Sequence, residues 1–173
     1  MNVDKMKVAR PLVEAAAGIR GAFMTGSAAI GGFTPNESDV DIVIPIEEKD
    51  AIRSIVETGK ELGFVVQQSD YNNGIKLVKP IVTVVNFVCL HPLDYCGWLF
   101  ATQTLKQLDG DRRDRNGRHR MFELAVLLFK CATVGTGYMT VDGARRYYDM
   151  VKPDGILERY DYLIQYHSKD LPF

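Results

Sequence analysis

The chain has 173 residues, a formal net charge of −1, 46% hydrophobic residues and 25% charged residues, which is typical of a single globular domain. The nearly neutral charge excludes binding to nucleic acid through overall charge, so such binding would require a local basic patch. The longest apolar runs are too short to cross a bilayer, and the first residues lack the apolar segment of a signal peptide. We therefore expect a protein with no membrane contact.

The three cysteines, Cys89, Cys96 and Cys131, are odd in number, far apart and surrounded by apolar residues. This pattern is typical of reduced, buried thiols and argues against both a disulfide framework and a zinc site. Together with the missing signal peptide, it predicts a cytoplasmic protein.

Hydrophobic periodicity and turn residues predict alternating helices and strands in the first half of the chain. A helix over 4–18 contains Pro11, so that the helix can begin there, with proline in its first turn. The further predicted elements are a strand over 22–25, a short helix over 27–32, a loop over 33–37, a strand over 40–46, a helix over 47–62, strands over 64–68, 75–78 and 81–90, and a hairpin turn over 70–74. This order predicts an α/β (α+β) fold with a mixed sheet that carries helices.

From residue 92 onward the pattern is helical. Pro92 suits the first turn of a helix, and Gly135 follows a strongly apolar segment as a stop signal. The predicted helices cover 92–108, 120–134, 140–150 and 154–166. We expect a sheet domain over 1–91 and a helical region over 92–173 packed on it, the two forming one compact unit.

Two short motifs indicate the chemistry. Gly26 and Ser27 follow an apolar strand, and a turn at this point presents backbone N–H groups and a hydroxyl to a phosphate. Asp39 and Asp41 are two residues apart at the start of a predicted strand, and in extended chain both carboxylates lie on one face. Like charges this close repel unless a proton or a cation lies between them. Hard oxygen ligands favour Mg²⁺, which usually arrives with substrate phosphates.

The segments Thr25-Gly26-Ser27 and Asp39-Val40-Asp41-Ile42 together resemble the signature of the nucleotidyltransferase superfamily that includes DNA polymerase β. The run 38–41 looks most like the small members, the minimal nucleotidyltransferases and the antibiotic-modifying adenylyltransferases. The detailed resemblance covers about residues 23–46, and the order of elements extends it to about residue 90. It implies a polymerase β-like fold and transfer of a nucleoside monophosphate from a nucleoside triphosphate, with pyrophosphate leaving. It also implies that the aspartate pair binds two Mg²⁺ ions, with Mn²⁺ as an alternative, one on the triphosphate and one on the attacking hydroxyl.

The third carboxylate of this superfamily lies on a later strand inside an apolar run, and the residue that matches it here is Asn86. Asparagine coordinates a cation through its carbonyl oxygen, but it carries no charge and accepts no proton from an attacking hydroxyl. Asn86 is equally well explained as a hydrogen-bonded residue near a strand end. Asp70 and Asp94 are alternative acids, and the spacing selects neither of them.

A basic run covers residues 112–120, of which five are arginine. A solvated loop between two helices is one interpretation of this run. If the loop folds over the open end of the sheet, Arg118 or Arg120 can bind the β- and γ-phosphates through its planar fork. The run can equally bind a nucleic-acid backbone. Lys76, on the strand before Asn86, can neutralise a phosphate, although exposed strand lysines usually protect a sheet edge.

The sequence therefore predicts a Mg²⁺-dependent nucleotidyltransferase whose nucleotide partner is a nucleoside triphosphate. One alternative is a catalytically inactive module that binds a nucleotide or a nucleic acid, which the uncharged Asn86 favours. Another alternative is a regulatory, antitoxin-like partner of a second protein. The acceptor of the predicted reaction is a small molecule, a protein or an RNA, and the sequence does not select among these.

Overall fold

The computed structural model describes residues 5–35, 37–69, 74–79, 83–108, 115–134 and 155–167. Within these ranges the strands are β1 (Phe23–Thr25), β2 (Val40–Pro45), β3 (Val65–Gln68), β4 (Gly74–Lys79) and β5 (Thr83–Leu90). The helices are α1 (Lys5–Ala17), α2 (Gly26–Ile30), α3 (Ile52–Glu61), α4 (Pro92–Gln107), α5 (Arg115–Val134) and α6 (Ile156–His167). The predicted mixed sheet with a helical C-terminal half is confirmed.

The sheet has the strand order β1-β2-β5-β4-β3. β2 and β5 are parallel neighbours, whereas the other adjacent pairs are antiparallel. The two parallel strands are the most apolar part of the sheet, and Ile42, Ile44 and Phe87 are fully buried. β2 and β5 are therefore the fixed centre from which neighbouring polar side chains project.

One face of the sheet is covered by α1, α3 and α6. Its core contains large buried side chains from the strands and from all three helices, among them Leu12, Val13, Ile42, Ile55, Leu77, Phe87, Ile156 and Tyr160. The predicted helix over 4–18 is confirmed, since α1 runs from Lys5 to Ala17. The alternative start at Pro11 is wrong, because the helix passes through the proline. Met6 and Ala9 precede Pro11 and are both buried. Burial of such side chains, worth about 1.5–3 kcal/mol for a large one, offsets the roughly 3 kcal/mol cost of an internal proline.

The other face is covered by α4, and α5 packs on α4. Phe23 and Val43 project from this face into a cluster with buried residues of α4. Two ring contacts join α4 and α5. The ring centroids of Trp98 and Phe122 are 5.3 Å apart, and those of Phe100 and Phe129 are 5.2 Å apart. A Cβ on Gly97 would lie 3.3 Å from Cγ1 of Val126, so the glycine allows α5 to approach closely. The helices after residue 91 thus lie on both faces of the sheet.

α6 is bound to the short helix that follows β1. Arg159 donates from Nε to the carbonyl oxygen of Ala28 at 3.3 Å and from Nη2 to that of Ala29 at 2.9 Å. Tyr160 donates its hydroxyl to the carbonyl oxygen of Met6 in α1. α6 therefore fixes the position of α2, and with it the turn between β1 and α2.

We expect Arg159→Met to lower the free energy of unfolding by about 2 kcal/mol, because two hydrogen bonds from a charged donor are lost while the aliphatic stem is kept. Urea denaturation measures this change. The matched control is Arg53→Met on α3, where the arginine side chain is 86% exposed and lies 3.7 Å from Asp50. This control should change stability by less than about 0.5 kcal/mol. Equal effects of the two substitutions would contradict the anchoring role of Arg159.

Two predicted helices have different bounds. The segment predicted as one helix over 47–62 is a 3₁₀ segment, Ile46–Ala51, followed by α3. α5 begins at Arg115 and not at residue 120 as predicted, so that Arg118 lies on the helix and not in a loop before it. Packing of Phe122 against Trp98 stabilises this early part of α5. The helix over 140–150 lies outside the described residues, as does most of the hairpin turn over 70–74.

Cys89 and Cys96 are free and buried, as predicted, and burial raises the pKa of each thiol to about 11. Cys131 is also free, but the prediction that it is buried is wrong. It follows the exposed Leu124, Leu127 and Leu128 of α5 at helical spacing, and therefore lies on the side of α5 that faces away from α4. No helix among the described residues has the length and apolar character needed to cross a membrane.

Candidate functional site

A row of four polar side chains crosses the sheet on the face that α4 covers in part. The strand register pairs Thr25 with Asp41, Asp41 with Asn86, and Asn86 with Lys76. Residues in register on adjacent strands project from the same face of the sheet, and adjacent strands are about 4.7–4.9 Å apart. The row therefore brings a hydroxyl, a carboxylate, an amide and an ammonium group together from four adjacent strands.

Asn86 joins the two aspartates. Its Nδ2 donates to Oδ1 of Asp41 at 2.8 Å and lies 3.4 Å from Oδ2 of Asp39. Asn86 is 4% exposed, and its Oδ1 accepts no hydrogen bond within the part of the chain that the structure describes. Leaving a buried acceptor unsatisfied costs about 1–3 kcal/mol, which a ligand at this position can offset.

This set of donors fits a divalent cation. Two carboxylates and an amide oxygen are the hard ligands that Mg²⁺ and Mn²⁺ prefer. A half-turn of the Asn86 amide exchanges its NH₂ group for its oxygen and presents the oxygen to a cation on the carboxylates. Across the described ranges, no three His, Cys, Asp or Glu side chains are grouped so that they could hold a metal ion. Asn86 is thus the third polar group beside the aspartate pair.

Gly26 lies directly against the carboxylate of Asp41. Its φ is +65°, in the left-handed region that only glycine adopts without cost. A Cβ on Gly26 would overlap with Oδ2 of Asp41 and would lie 3.2 Å from its Cγ. A side chain at this position would therefore both strain the backbone and displace the carboxylate.

Ser27 follows Gly26 in α2, and hydrogen bonds fix the segments on either side of the motif. The hydroxyls of Thr25 and Thr102 share a buried hydrogen bond of 2.7 Å between β1 and α4. The backbone N–H of Thr34 donates to Oγ of Ser38 at 2.8 Å, which orders the segment that leads into Asp39. Hydrogen bonds thus fix both the strand that leads into the Gly26 turn and the segment that leads into Asp39.

The polar row, the aspartate pair and the turn at Gly26 line a cleft of about 960 Å³, whose opposite wall is α5. The volume lies at the upper end of the range of about 300–1,000 Å³ that is usual for small-molecule sites. The helical wall is partly apolar and partly charged, and its lining residues are Trp98 of α4 and Asn116, Arg118, His119, Phe122, Glu123, Val126, Leu127 and Lys130 of α5. The cleft therefore places a pair of carboxylates and a basic wall around one space.

The charged groups of α5 have defined contacts. The guanidinium of Arg118 packs against Gly32, and a Cβ on this glycine would lie 2.7 Å from Cζ of the arginine. Nε2 of His119 lies 3.1 Å from a carboxylate oxygen of Glu123. Lys130 forms an ion pair with Asp94 at the start of α4. The close approach of Arg118 requires a residue without a side chain at position 32.

The structure brings most of the predicted site residues together. Those that line the cleft are Gly26, Ser27, Asp39, Asp41, Lys76, Asn86 and Arg118. Arg120 is exposed and does not line it, because two positions on a helix differ in direction by about 200°. Asp94 pairs with Lys130 and does not line the cleft. Asp70 lies outside the described residues.

The remaining residues of the α5 wall were not predicted as site residues. His119, Glu123, Val126 and Lys130 recur at steps of three or four residues, which is the spacing of one helix face. Lys130 is the only charged residue between 124 and 134 in the sequence. A single cation in an apolar helix is the signal that could have indicated a polar space on that side.

Comparison with known families gives one result. The family model described as nucleotidyltransferase domain matches residues 6–92, about half of the chain. This range contains the whole sheet, the aspartate pair and Asn86, and it ends at the start of α4. No curated protein and no solved structure matches the chain.

Proposed function

Because the chain belongs to the nucleotidyltransferase-domain family, we propose that its cleft binds a nucleoside triphosphate and transfers the nucleoside monophosphate to an acceptor. Pyrophosphate is the leaving group of this reaction. Nucleotidyl transfer is the general activity of this family. The observation that carries it is the contact of one buried amide, that of Asn86, with both Asp39 and Asp41 inside a cleft with a basic wall.

In this proposal Asp39 and Asp41 hold Mg²⁺, with Mn²⁺ as an alternative. A metal held by these residues would supply charge neutralisation at the phosphate oxygens. The NH₂ group of Asn86 donates to both carboxylates. After a half-turn of the amide, its oxygen would be a further ligand of a cation held by the aspartates. Because Gly26 has no side chain, the carboxylate of Asp41 packs directly against the turn. Phosphates bound at the turn would therefore be close to the metal ligands.

The phosphates of the nucleotide are bound by the turn and by basic side chains. The backbone and hydroxyl of Ser27 offer hydrogen-bond donors at the start of α2. Lys76 and Arg118 supply positive charge from opposite walls of the cleft. The apolar wall residues Trp98 and Phe122 offer a surface for the base and the sugar.

We expect Arg118→Gln to weaken binding of the nucleoside triphosphate about 10- to 100-fold, because charge-assisted hydrogen bonds are worth about 1.5–3 kcal/mol. Calorimetric titration measures the dissociation constant. The matched control is Arg120→Gln, which removes the same charge from the same helix outside the cleft. This control should change the dissociation constant less than about threefold. An equal loss of nucleotide affinity in both variants would mean that Arg118 acts only through the overall positive charge of the helix and does not contact the phosphates.

The acceptor is a small molecule, a protein or an RNA, and its binding belongs to the helical side of the cleft. Among the described residues the α5 wall combines His119, Glu123 and apolar side chains within one space. This mixed lining suits a small polar molecule as well as an extended chain.

A second candidate function is favoured by Asn86 itself. A site whose third polar group is an uncharged amide brings less negative charge to a metal and accepts no proton from a nucleophile. In this alternative the cleft binds a nucleoside triphosphate without turning it over. The two functions differ in one product, since only the enzyme releases pyrophosphate.

The experiment that tests both functions is a thermal-shift panel with the four NTPs and the four dNTPs, with and without Mg²⁺, followed by an assay of pyrophosphate release. A ligand at about 100 times its dissociation constant adds about 2.7 kcal/mol of stability. A Mg²⁺-dependent shift that Asp39→Asn/Asp41→Asn loses, together with pyrophosphate release, supports the transferase. A shift without pyrophosphate supports the inactive binding module. The absence of any shift would contradict both.

A further inference from the structure

The polar row contains a fixed positive charge beside the third ligand position. Lys76 is the cross-strand partner of Asn86 on β4, and both residues line the cleft. On the other side of Asn86, the partner is Asp41. The residues in register with Lys76 on its two neighbouring strands are Asn86 and Gln67. Across the row the charge therefore changes from a carboxylate through a neutral amide to an ammonium group.

A pair of divalent cations needs more negative charge than this row supplies. Two-metal sites place the ions about 3.5–4 Å apart, and carboxylates between and around them offset the mutual repulsion of the ions. Here the aspartate pair can surround one cation, and Asn86 can add a neutral oxygen to it. A second cation on the far side of Asn86 would lie next to Lys76, which repels it, and would have no carboxylate of its own in the row.

Resting on the function proposed above, we propose that the cleft binds a single divalent cation with the nucleotide, and that the ammonium group of Lys76 takes the place of a second. Three carboxylates with two divalent cations carry one net positive charge. Two carboxylates, one divalent cation and one ammonium group carry the same net charge. Asn86 in place of a third acid removes one negative charge, and Lys76 in place of a second divalent cation removes one positive charge. The net charge that faces the phosphates is therefore the same in the two arrangements.

The orphaned oxygen of Asn86 supports the assignment of the single ion to the aspartate side. Asn86 is almost completely buried, and its Oδ1 has no hydrogen-bond partner among the described residues. The Nδ2 atom of the amide contacts both aspartates. A half-turn of the amide would therefore direct Oδ1 to a cation that the aspartates hold. An ammonium group donates hydrogen bonds and accepts none, so that Lys76 can bind Asn86 Oδ1 or a phosphate oxygen but cannot ligate a metal while charged.

The test counts the ions directly. Native mass spectrometry of the full chain with Mn²⁺ and a non-hydrolysable analogue of each of the four NTPs resolves complexes that differ by one manganese. The wild type should bind one Mn²⁺ per bound nucleotide analogue, and Asp39→Asn/Asp41→Asn corrects for manganese bound elsewhere. Asn86→Asp/Lys76→Met should bind two. The matched control Asn86→Asp/Lys79→Met keeps Lys76 and should bind one, since Lys79 donates to the carbonyl oxygen of Leu62 and does not line the cleft.

Each outcome decides a different point. Two Mn²⁺ per nucleotide in the wild type would overturn the inference while leaving the proposed nucleotidyl transfer intact. One ion in every variant would refute the claim that Asn86 and Lys76 determine the number of bound ions. Two ions in Asn86→Asp/Lys79→Met would refute the claim that Lys76 excludes a second ion. No nucleotide in any complex would refute the proposed function on which the inference rests. The wild-type count decides the main point even if a double variant fails to fold.

Discussion

Asp41→Asn is expected to lower the rate of pyrophosphate release at least about 10³-fold while the fold is retained. A metal ion contributes several kcal/mol of transition-state stabilisation, and each 1.36 kcal/mol corresponds to a factor of ten in rate. The substitution is nearly isosteric and keeps an oxygen that can accept the hydrogen bond of Asn86, which is 2.8 Å long in the wild type. It also removes the repulsion between Asp39 and Asp41, so the free energy of unfolding without Mg²⁺ should not decrease.

The measurement pairs the pyrophosphate assay with urea denaturation of the same preparation. Asp50→Asn is the control, because Asp50 carries the same charge on an exposed side chain that lies 3.7 Å from Arg53 and outside the cleft. This control should keep full activity and stability. An Asp41→Asn protein that releases pyrophosphate at the wild-type rate would show that the aspartate pair is not the metal site. A loss of activity that parallels a loss of stability would assign Asp41 a structural role instead.

The sheet side of the site was predictable from the sequence because its parts are close along the chain. β1 and β2 are antiparallel neighbours, and Thr25 is the register partner of Asp41. The turn motif and the aspartate motif therefore meet through one short connection, and their order along the chain already indicates their contact. Asn86 was also predicted, because the resemblance to the superfamily implies a third polar position in an apolar run on a later strand. The structure makes that strand, β5, the parallel neighbour of β2.

The helical side was not predictable in the same way. α5 has apolar residues on more than one side: Phe122 and Phe129 face α4, whereas Leu124 and Leu128 are exposed. Hydrophobic periodicity therefore does not identify the face that borders the cleft. The start of the helix was also misplaced, because the arginine-rich segment has few apolar residues, and contacts with α4 decide its conformation. Consequently Arg118 was predicted as a loop residue, and Lys130 was not predicted as a site residue.

Gly26→Ala is expected to cost both stability and activity, and the two losses have separate causes. A non-glycine residue in the left-handed region costs about 1–2 kcal/mol, and a clash in a packed site adds typically about 1–3 kcal/mol. We therefore expect the free energy of unfolding to fall by about 3 kcal/mol. The new Cβ overlaps with the carboxylate of Asp41, which must move. A displacement of about 1 Å in a catalytic group can lower the rate about 10²-fold, even in the folded fraction.

Gly31→Ala is the control that separates backbone strain at a positive φ from displacement of the Asp41 carboxylate. Gly31 also has a positive φ, of +97°, but a Cβ built there meets no atom within 4 Å. Urea denaturation should therefore find a comparable backbone cost of about 1–3 kcal/mol for Gly31→Ala, without the additional cost of a clash. Mn²⁺ titration in the presence of nucleotide should find weaker metal binding in Gly26→Ala than in Gly31→Ala, since only the first substitution moves Asp41. Equal metal affinities of the two variants would mean that the approach of Gly26 to Asp41 serves the fold and not the metal site.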